Sequence, residues 1–360
     1  MQIPDDFKKI YNSKTGDELA EKYNVCRRTI VNWKRKVREE SESYATSTLY
    51  DSEGNVKLKW VKKPNTTEID NVIQSIKELI TDMPKSNVPQ YKPRKHPTNS
   101  STTVYILNDI HFGMYANKEQ TQDRNWDLET AEKTVIDAFS NLVDRNEESN
   151  ECVIAELGDL LDINDFTNAT PKHKNILDVS STYPFILKTA YKTIIQCIYK
   201  ALEKHNKVYF INVAGNHDVT ASLAVQYIIK EHFSNNNRVI VNDTPRPIKY
   251  HHFGKNIFQF AHGDSLDMRK CDTVLAFDCK DYFSNSLHRY SFFGHNHQDK
   301  VIDLALCRAE SFRNIAPSNA WAAGKGFRNP FGKLTSITFH RDYGEISRNI
   351  YNILINQTIK

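Results

Sequence analysis

The spacing of apolar residues changes near residue 103 and divides the 360-residue chain into two parts. From Thr103 onward, apolar runs of strand length alternate with segments of helical period. The pattern predicts strands at 104–107, 152–157, 208–213, 257–261, 291–293, 301–306 and 334–339. It predicts helices at 128–144, 183–204, 222–233 and 272–283. This alternation is typical of an α/β domain, and we expect its sheets to be mixed.

The first 45 residues have the pattern of three short helices. The first carries Phe7, the second covers 17–23 and the third covers about 27–39. Asn24 suits the turn between the second and third helices because Asn tolerates a positive φ. We expect the third helix to bury Ile30, Val31 and Trp33. A short helix, a tight turn and a basic helix form the helix-turn-helix pattern.

Residues 46–102 differ from both neighbouring regions. Alternating apolar residues predict a hairpin at 46–63, and an apolar stripe predicts an amphipathic helix at 69–80. Four prolines then fall within fourteen residues, at 84, 89, 93 and 97, which is typical of a linker. We therefore predict a helix-turn-helix domain at 1–45, a hairpin, helix and linker at 46–102, and an α/β domain at 103–360.

The net charge of +4 hides an uneven distribution of basic residues. Seven basic residues and no acidic one lie between Lys22 and Arg38. Such a basic patch beside a nearly neutral body is what the binding of a phosphate backbone requires. The expected DNA contacts are Arg27, Arg28, Lys34 and Arg35. The alternative is a small helical dimerisation or docking module with a solvated cationic face.

Several protein classes are excluded by what the sequence lacks. No apolar run approaches the ~18 residues of a membrane-spanning helix. The start of the chain lacks the basic and apolar regions of a secretory signal. The six cysteines show no C-x-x-C spacing and are expected to be free thiols. We therefore expect a cytoplasmic protein that contacts no membrane. The sequence is compatible with both a monomer and a homodimer.

Five polar clusters follow five of the predicted strands, at the positions where α/β folds place their sites. Each cluster alone could be an ordinary turn or surface pair. Together they offer carboxylates, imidazoles and an amide oxygen, which suit manganese, iron or zinc. Seven such ligands can hold two ions if one carboxylate bridges them. The candidate ligands are Asp109, His111, Asp159, Asn216, His262, His295 and His297.

In this order the clusters resemble the calcineurin-like metallophosphoesterase superfamily. Its pattern is Asp-x-His, Gly-Asp-x-x, Gly-Asn-His-Asp/Glu, a later His and Gly-His-x-His, and the likeness runs from about Thr103 to Tyr343. The resemblance implies two packed β-sheets flanked by helices and two divalent ions, foremost Mn²⁺, with Fe, Zn or Mg as alternatives. One ion would bind Asp109, His111, Asp159 and His297, and the other Asp159 as the bridge, Asn216, His262 and His295.

The same resemblance implies roles for residues that do not bind metal. His217 would lie beside the substrate phosphate, stabilise its charge and protonate the leaving oxygen. Asp162, Asp218 or Asp264 would orient a histidine through its second ring nitrogen. The sequence alone does not choose among these three carboxylates.

The pattern also indicates a branch of the superfamily. The Ser/Thr protein phosphatases have a phosphate-binding Arg directly after the position of Asp162, where this chain has Ile163. The phosphodiesterases and DNA repair nucleases are closer in pattern, and Leu19 to Trp33 resembles the homeodomain-like domains of phage proteins and transposases. The expected function is that of a dimetal phosphodiesterase, foremost a phage-type DNA nuclease. The alternatives are a phosphoesterase for small nucleotides and, more remotely, a DNA-binding regulator with a vestigial enzyme body.

Overall fold

A computed structural model describes residues 3–4, 6–7, 16–41, 45–50, 56–62, 100–329 and 331–353. The chain divides into two compact units, Met1–Thr81 and Asp82–Lys360. The amphipathic helix predicted at 69–80 lies outside the described residues. So do most of the first predicted helix and of the predicted proline-rich linker. Within the described residues, no helix is both long and apolar enough to cross a bilayer.

The first unit contains helices α1 (Gly16–Lys22) and α2 (Arg27–Ser41). Between them Asn24 adopts the predicted left-handed conformation, with a φ of 50°. A small core forms from side chains of both helices and from the Phe7 ring, whose centroid lies 5.3 Å from that of Trp33. The buried members of this core are Phe7, Leu19, Ile30, Trp33 and Val37.

The prediction that Val31 is buried is wrong, because 59% of this residue is exposed. Residues three or four apart share one face of a helix, and Ile30, Trp33 and Val37 form such a row. Val31 follows Ile30 directly and is therefore turned about 100° away from that row.

Strands β1 (Ala45–Tyr50) and β2 (Val56–Lys62) pair antiparallel, as predicted for the hairpin.

The first sheet of the second unit has six strands in the order β13-β12-β3-β4-β5-β6. Its inner strands β3, β4 and β5 run parallel, with Val104 opposite Val153 and Val153 opposite Tyr209. Strand β12 runs antiparallel to β3, so the sheet is mixed. The strands are β3 (Ser101–Leu107), β4 (Ser149–Glu156), β5 (His205–Asn212), β6 (Val239–Asn242), β12 (Lys333–His340) and β13 (Gly344–Asn352).

The second sheet has five strands in the order β10-β11-β9-β8-β7. Strands β8, β9 and β11 are parallel, and the two edge strands β7 and β10 are antiparallel to their neighbours. The strands are β7 (Lys249–Phe253), β8 (Asn256–Ala261), β9 (His288–Phe293), β10 (Lys300–Asp303) and β11 (Arg308–Ser311).

The two sheets pack face to face around one apolar core. The rings of Phe258 and Phe339 meet edge to face across the core, with centroids 4.8 Å apart. Val104 and Ile106 point into this core, whereas Tyr105 between them points outward, as the period of two requires. Outside, the Tyr105 ring packs against Phe139 of a covering helix at 5.1 Å.

Helices cover the outer faces of both sheets. In α4 (Leu128–Arg145), buried residues such as Ala131, Val135 and Leu142 recur at helical spacing, and the Asp127 side chain caps the first turn. On the other sheet, Leu275 packs against the outer face. The fold class predicted from the sequence is thus confirmed. The remaining helices are α3 (Lys118–Thr121), α5 (Tyr183–Leu202), α6 (Val219–His232), α7 (Cys271–Asp278), α8 (Lys280–Phe283), α9 (Ala320–Gly324) and a 3₁₀ turn (Met268–Lys270).

All six cysteines are free thiols, as predicted.

The arrangement of the strands brings the polar clusters together. The carboxyl ends of the parallel strands β3, β4 and β5 lie at one edge of the first sheet, and those of β8 and β9 at the corresponding edge of the second. The five polar clusters of the sequence begin within four residues of these strand ends.

Candidate metal centre

Five of the seven candidate ligands have a left-handed backbone, with φ angles of 47° at Asp109, 53° at His111, 55° at Asp159, 65° at His295 and 50° at His297. This conformation is uncommon and costly for residues with a side chain, and it persists only where the surroundings impose it. Backbone hydrogen bonds between loops provide that constraint. The amide of Asp109 donates to the Gly158 carbonyl, and that of His111 to the Asp159 carbonyl, each at 3.0 Å.

The first group of ligand atoms belongs to Asp109, His111 and His297, and these atoms all lie within 4.8 Å of one another. His297 Nε2 is 3.2 Å from Asp109 Oδ1 and 3.4 Å from His111 Nε2. Two imidazole nitrogens that face each other beside a carboxylate form a donor set that fits a divalent cation.

The second group belongs to Asp159, His262 and His295 and meets the same distance limit. His262 Nε2 lies 3.2 Å from Asp159 Oδ2 and 3.1 Å from Asn216 Oδ1. At the other side of the ring, His262 Nδ1 lies 2.9 Å from the Leu157 carbonyl and donates to it. This hydrogen bond fixes the tautomer in which Nε2 can bind a metal.

A third group joins the other two. It consists of His111, Asp159 and His217, so it shares His111 with the first group and Asp159 with the second. Asp159 Oδ1 also accepts a hydrogen bond from the His217 amide at 2.8 Å. Asp159 is therefore placed between the two ligand groups, where a bridging carboxylate would have to be.

Carboxylates and histidines in the cluster stabilise each other's charges. Burial would raise the pKa of Asp159, but His262, His217 and His111 hold that pKa far below its ordinary value. Burial would lower the pKa of His111, but Asp162 raises it to about 9. The carboxylate of Asp159 is therefore ionised, and the His111 ring is in its doubly protonated, positively charged form at neutral pH. Because a metal needs the neutral ring, its binding at His111 releases that proton.

Of the three carboxylates considered as orienting groups, Asp162 contacts histidines. Its Oδ1 lies 3.0 Å from His111 Nδ1 and 3.5 Å from His217 Nδ1. Asp218 instead accepts hydrogen bonds from the amides of Gly215 and Leu161, at 2.9 and 3.1 Å, and so ties two loops together. Burial and the charge of Asp159 raise the pKa of Asp218 to about 6. Asp264 is exposed.

His217, the member of the third group that is not among the seven candidate ligands, is only partly buried. Its Nδ1 lies 2.9 Å from the Asp162 carbonyl oxygen, to which it donates. Its ring meets that of His111 edge to face, with centroids 4.9 Å apart. His217 also lines a cleft of about 850 Å³ that opens at the site. The cleft is further lined by His111, His295, His297 and by parts of two loops, at 170–178 and 317–329.

Two further polar residues, which the sequence pattern did not single out, support the candidate ligands. Glu156 is fully buried, and burial raises the pKa of its carboxyl well above the ordinary value. Its Oε1 accepts a hydrogen bond from the Gly158 amide. Asn108 Nδ2 donates to Asp109 Oδ2 at 3.0 Å. The signal for both was a polar residue at the end of an apolar strand.

The basic residues predicted to contact DNA lie on α2 of the first unit. The side chains of Arg27 and Arg28 are exposed, and Lys34 is partly buried. Arg27 Nε lies 3.5 Å from Asp17 Oδ1 of the neighbouring helix. The side chain of Arg35 lies outside the described residues. Their contact with DNA stays a prediction.

Comparison with known proteins gives similar solved structures but no close relative. No protein-family model matches the chain, and no curated protein matches it. A predicted phosphoesterase from Streptococcus pneumoniae is 10% identical, covers 70% of this chain and 98% of its own, and has a TM-score of 0.29. An archaeal phosphodiesterase is 11% identical, with coverages of 70% and 99% and a TM-score of 0.33.

The zinc complex of Vps29 from Entamoeba histolytica is also 11% identical, with coverages of 69% and 98% and a TM-score of 0.26. Similarity at this level does not bear on the chemistry of this chain. What the site can do must follow from its own side chains.

A glycine directly beneath Asp159 allows a test of the site. A Cβ atom at Gly215 would overlap both Asp159 Oδ1 and the Asp159 backbone nitrogen, although the φ of Gly215 does not itself require glycine. We expect Gly215→Ala to displace this carboxylate and to abolish the rise in melting temperature that saturating Mn²⁺ gives the wild type, roughly 5 °C. Differential scanning calorimetry with and without Mn²⁺ measures this effect.

Gly324→Ala is the matched control, because nothing lies within 4 Å of a Cβ atom at Gly324. It should keep the Mn²⁺-dependent rise. An undiminished rise in Gly215→Ala would show that Asp159 does not hold the metal.

Proposed function

We propose that the chain is a metal-dependent phosphodiesterase with two divalent ions. This proposal rests on three overlapping groups of ligand atoms, which share His111 and Asp159. Residues from all three groups line a single cleft. One ion needs only three or four protein ligands, so seven convergent donors are more than one ion requires. Many enzymes that cleave phosphoesters use two metal ions held close together.

The donor set indicates which metals suit the site. It combines aspartate oxygens, imidazole nitrogens and the Asn216 amide oxygen, without a thiolate. This mixture suits Mn²⁺, Fe or Zn. We propose Mn²⁺ foremost, with Fe, Zn or Mg as alternatives. Asp109, His111 and His297 would hold one ion, His262, His295 and Asn216 the other, and Asp159 both. When bound, the ions supply Lewis acidity to the phosphoryl group and a water-derived nucleophile at neutral pH.

His217 is the side chain best placed to act on the substrate itself. Because its Nδ1 donates to the Asp162 carbonyl, the ring is fixed and Nε2 is left for a substrate in the cleft. Asp162 Oδ1 also lies 3.5 Å from the same Nδ1. We infer that His217 stabilises the phosphate charge and gives its Nε2 proton to the leaving oxygen.

The role of His217 can be tested with bis(p-nitrophenyl) phosphate and Mn²⁺. General acid catalysis contributes roughly 10²- to 10⁴-fold, so we expect His217→Ala to lower kcat at least about 100-fold. Metal content should stay at the wild-type value, because all seven candidate ligands remain. The control His340→Ala, at the end of β12, should keep its activity.

Equal turnover by His217→Ala and the wild type would contradict the assigned role. If the wild type failed to hydrolyse any phosphodiester with Mn²⁺, Fe²⁺, Zn²⁺ or Mg²⁺, the whole proposal would be wrong.

We further propose that the substrate is DNA and that α2 delivers the enzyme to it as part of a helix-turn-helix. Support comes from the exposed guanidinium groups of Arg27 and Arg28, and from the left-handed turn at Asn24 that joins α2 to α1. Seven basic residues without an acidic one between Lys22 and Arg38 supply the charge that DNA phosphates attract.

The salt dependence of binding tests the DNA proposal. Each neutralised phosphate adds about −0.9 to the slope of log affinity against log salt, so four contacts predict a slope steeper than roughly −3. Replacement of Arg27, Arg28, Lys34 and Arg35 by Ala should flatten the slope. Fluorescence anisotropy with a labelled duplex between 50 and 200 mM salt measures it.

A matched control replaces four exposed basic residues of the second unit, Arg269, Lys270, Lys280 and Lys300. This variant should keep the wild-type slope. A flat response of the wild type would favour a docking module instead. Intact turnover of cyclic nucleotides after deletion of residues 1–45, without DNA cleavage by the full chain, would favour the small-nucleotide alternative.

A further inference from the structure

The two loops that line the cleft beside the metal centre are basic. The segments 170–178 and 317–329 contain four Lys or Arg residues and one acidic residue, Asp178. Of these, Lys172 and Arg328 line the cleft and have exposed side chains. Arg328 Nη1 donates to the Phe327 carbonyl at 3.0 Å, which holds the guanidinium on its loop while other N–H groups remain for a ligand.

The same loops expose large apolar side chains in the cleft. Ile176 is 90% exposed, Trp321 62% and Phe327 57%. Large apolar side chains gathered in one exposed cleft mark a binding surface, since burying them elsewhere would be favourable. Trp321 belongs to α9, whose first turn is capped by the Asn319 side chain, an acceptor for the Ala322 amide at 2.9 Å. The indole of Trp321 is therefore attached to a short, capped helix.

We propose that Trp321 and Phe327 bind an unpaired base next to the phosphate that is cleaved, so that the substrate is single-stranded DNA. This inference rests on the proposed nuclease function and deepens it. Aromatic rings stack on the flat face of any base, and adjacent cations bind the phosphates on either side. His217 and His297 line the same cleft, so a phosphate at the ligand groups has its neighbouring nucleotide within reach of these loops.

The same chemistry argues against an intact duplex as the ligand of these rings. In a duplex each base is stacked between its neighbours, and its flat faces are covered. An unpaired base or a frayed end leaves a face free for Trp321. The cleft of about 850 Å³ lies within the ~300–1,000 Å³ that ligand sites usually occupy.

The contribution of the base can be separated from that of the phosphates by comparing two ligands of equal charge. One is a labelled twelve-residue oligothymidylate, and the other is an oligomer of the same length built from abasic tetrahydrofuran phosphates. Anisotropy titrations use the full chain in metal-free buffer, so that neither ligand is cleaved. Binding through phosphates, including binding at α2, affects both ligands equally and cancels in the ratio of the two Kd values.

Stacking of one base on an aromatic ring predicts that the wild type prefers oligothymidylate about tenfold. In Trp321→Ala this ratio should fall toward one, whereas Trp321→Phe, which keeps a ring, should retain most of it. The control Phe277→Ala removes an aromatic residue that is 81% exposed on α7 and should leave the ratio unchanged. A wild-type ratio near one, or an unchanged ratio in Trp321→Ala, would overturn the proposal.

A second arm separates this inference from the function on which it rests. With Mn²⁺ added, the wild type should cleave the oligothymidylate faster than the abasic oligomer at subsaturating concentrations. If base preference is seen in binding while no metal supports cleavage, the subsite stands and the nuclease function fails. If cleavage occurs without any base preference, the nuclease function stands and the subsite fails.

Discussion

The site depends on keeping one buried carboxylate ionised. Asp159 is almost completely inaccessible to solvent, and an unpaired charge in such a place would be very unfavourable. Its two oxygens are compensated from different loops, by the His217 amide on one side and by His262 Nε2 on the other. Gly215 contacts it so closely that no larger residue would fit. Three of the five polar clusters are thus arranged around Asp159.

The β-sandwich makes this arrangement possible because it aligns the carboxyl ends of strands from two sheets. Aromatic residues between the sheets, such as Phe258 and Phe339, fix the distance across the core. The candidate ligands lie on loops, yet these loops are joined by backbone hydrogen bonds such as that from Asp109 to Gly158. Left-handed turns at the ligands then direct the side chains back toward a common centre. The fold therefore brings the candidate donors together at one centre.

The centre of the fold and of the site could be predicted from the sequence, because both depend on local signals. An apolar run followed by a polar cluster, as at Asp109, places a side chain at a strand end. Long-range contacts gave no such signal. Asn329 holds Asn314 beneath the ligands, and Asn314 contacts the Asp109 carbonyl from 205 residues away. Trp321 likewise reaches the cleft only through the folded loop.

Secondary structure was missed where the pattern is mixed or interrupted. Strand β13 lies at a sheet edge and alternates irregularly, and the helix predicted at 272–283 is divided at Cys279 into α7 and α8.

The number of ions per chain tests the two-metal account most directly. Inductively coupled plasma mass spectrometry of protein reconstituted with Mn²⁺ and freed of excess metal should find two ions in the wild type. In Asp159→Asn, which keeps the size of the side chain but removes its charge, we expect at most one. Two ions in the variant would show that Asp159 does not bridge them, and a single ion in the wild type would contradict the two-metal centre itself.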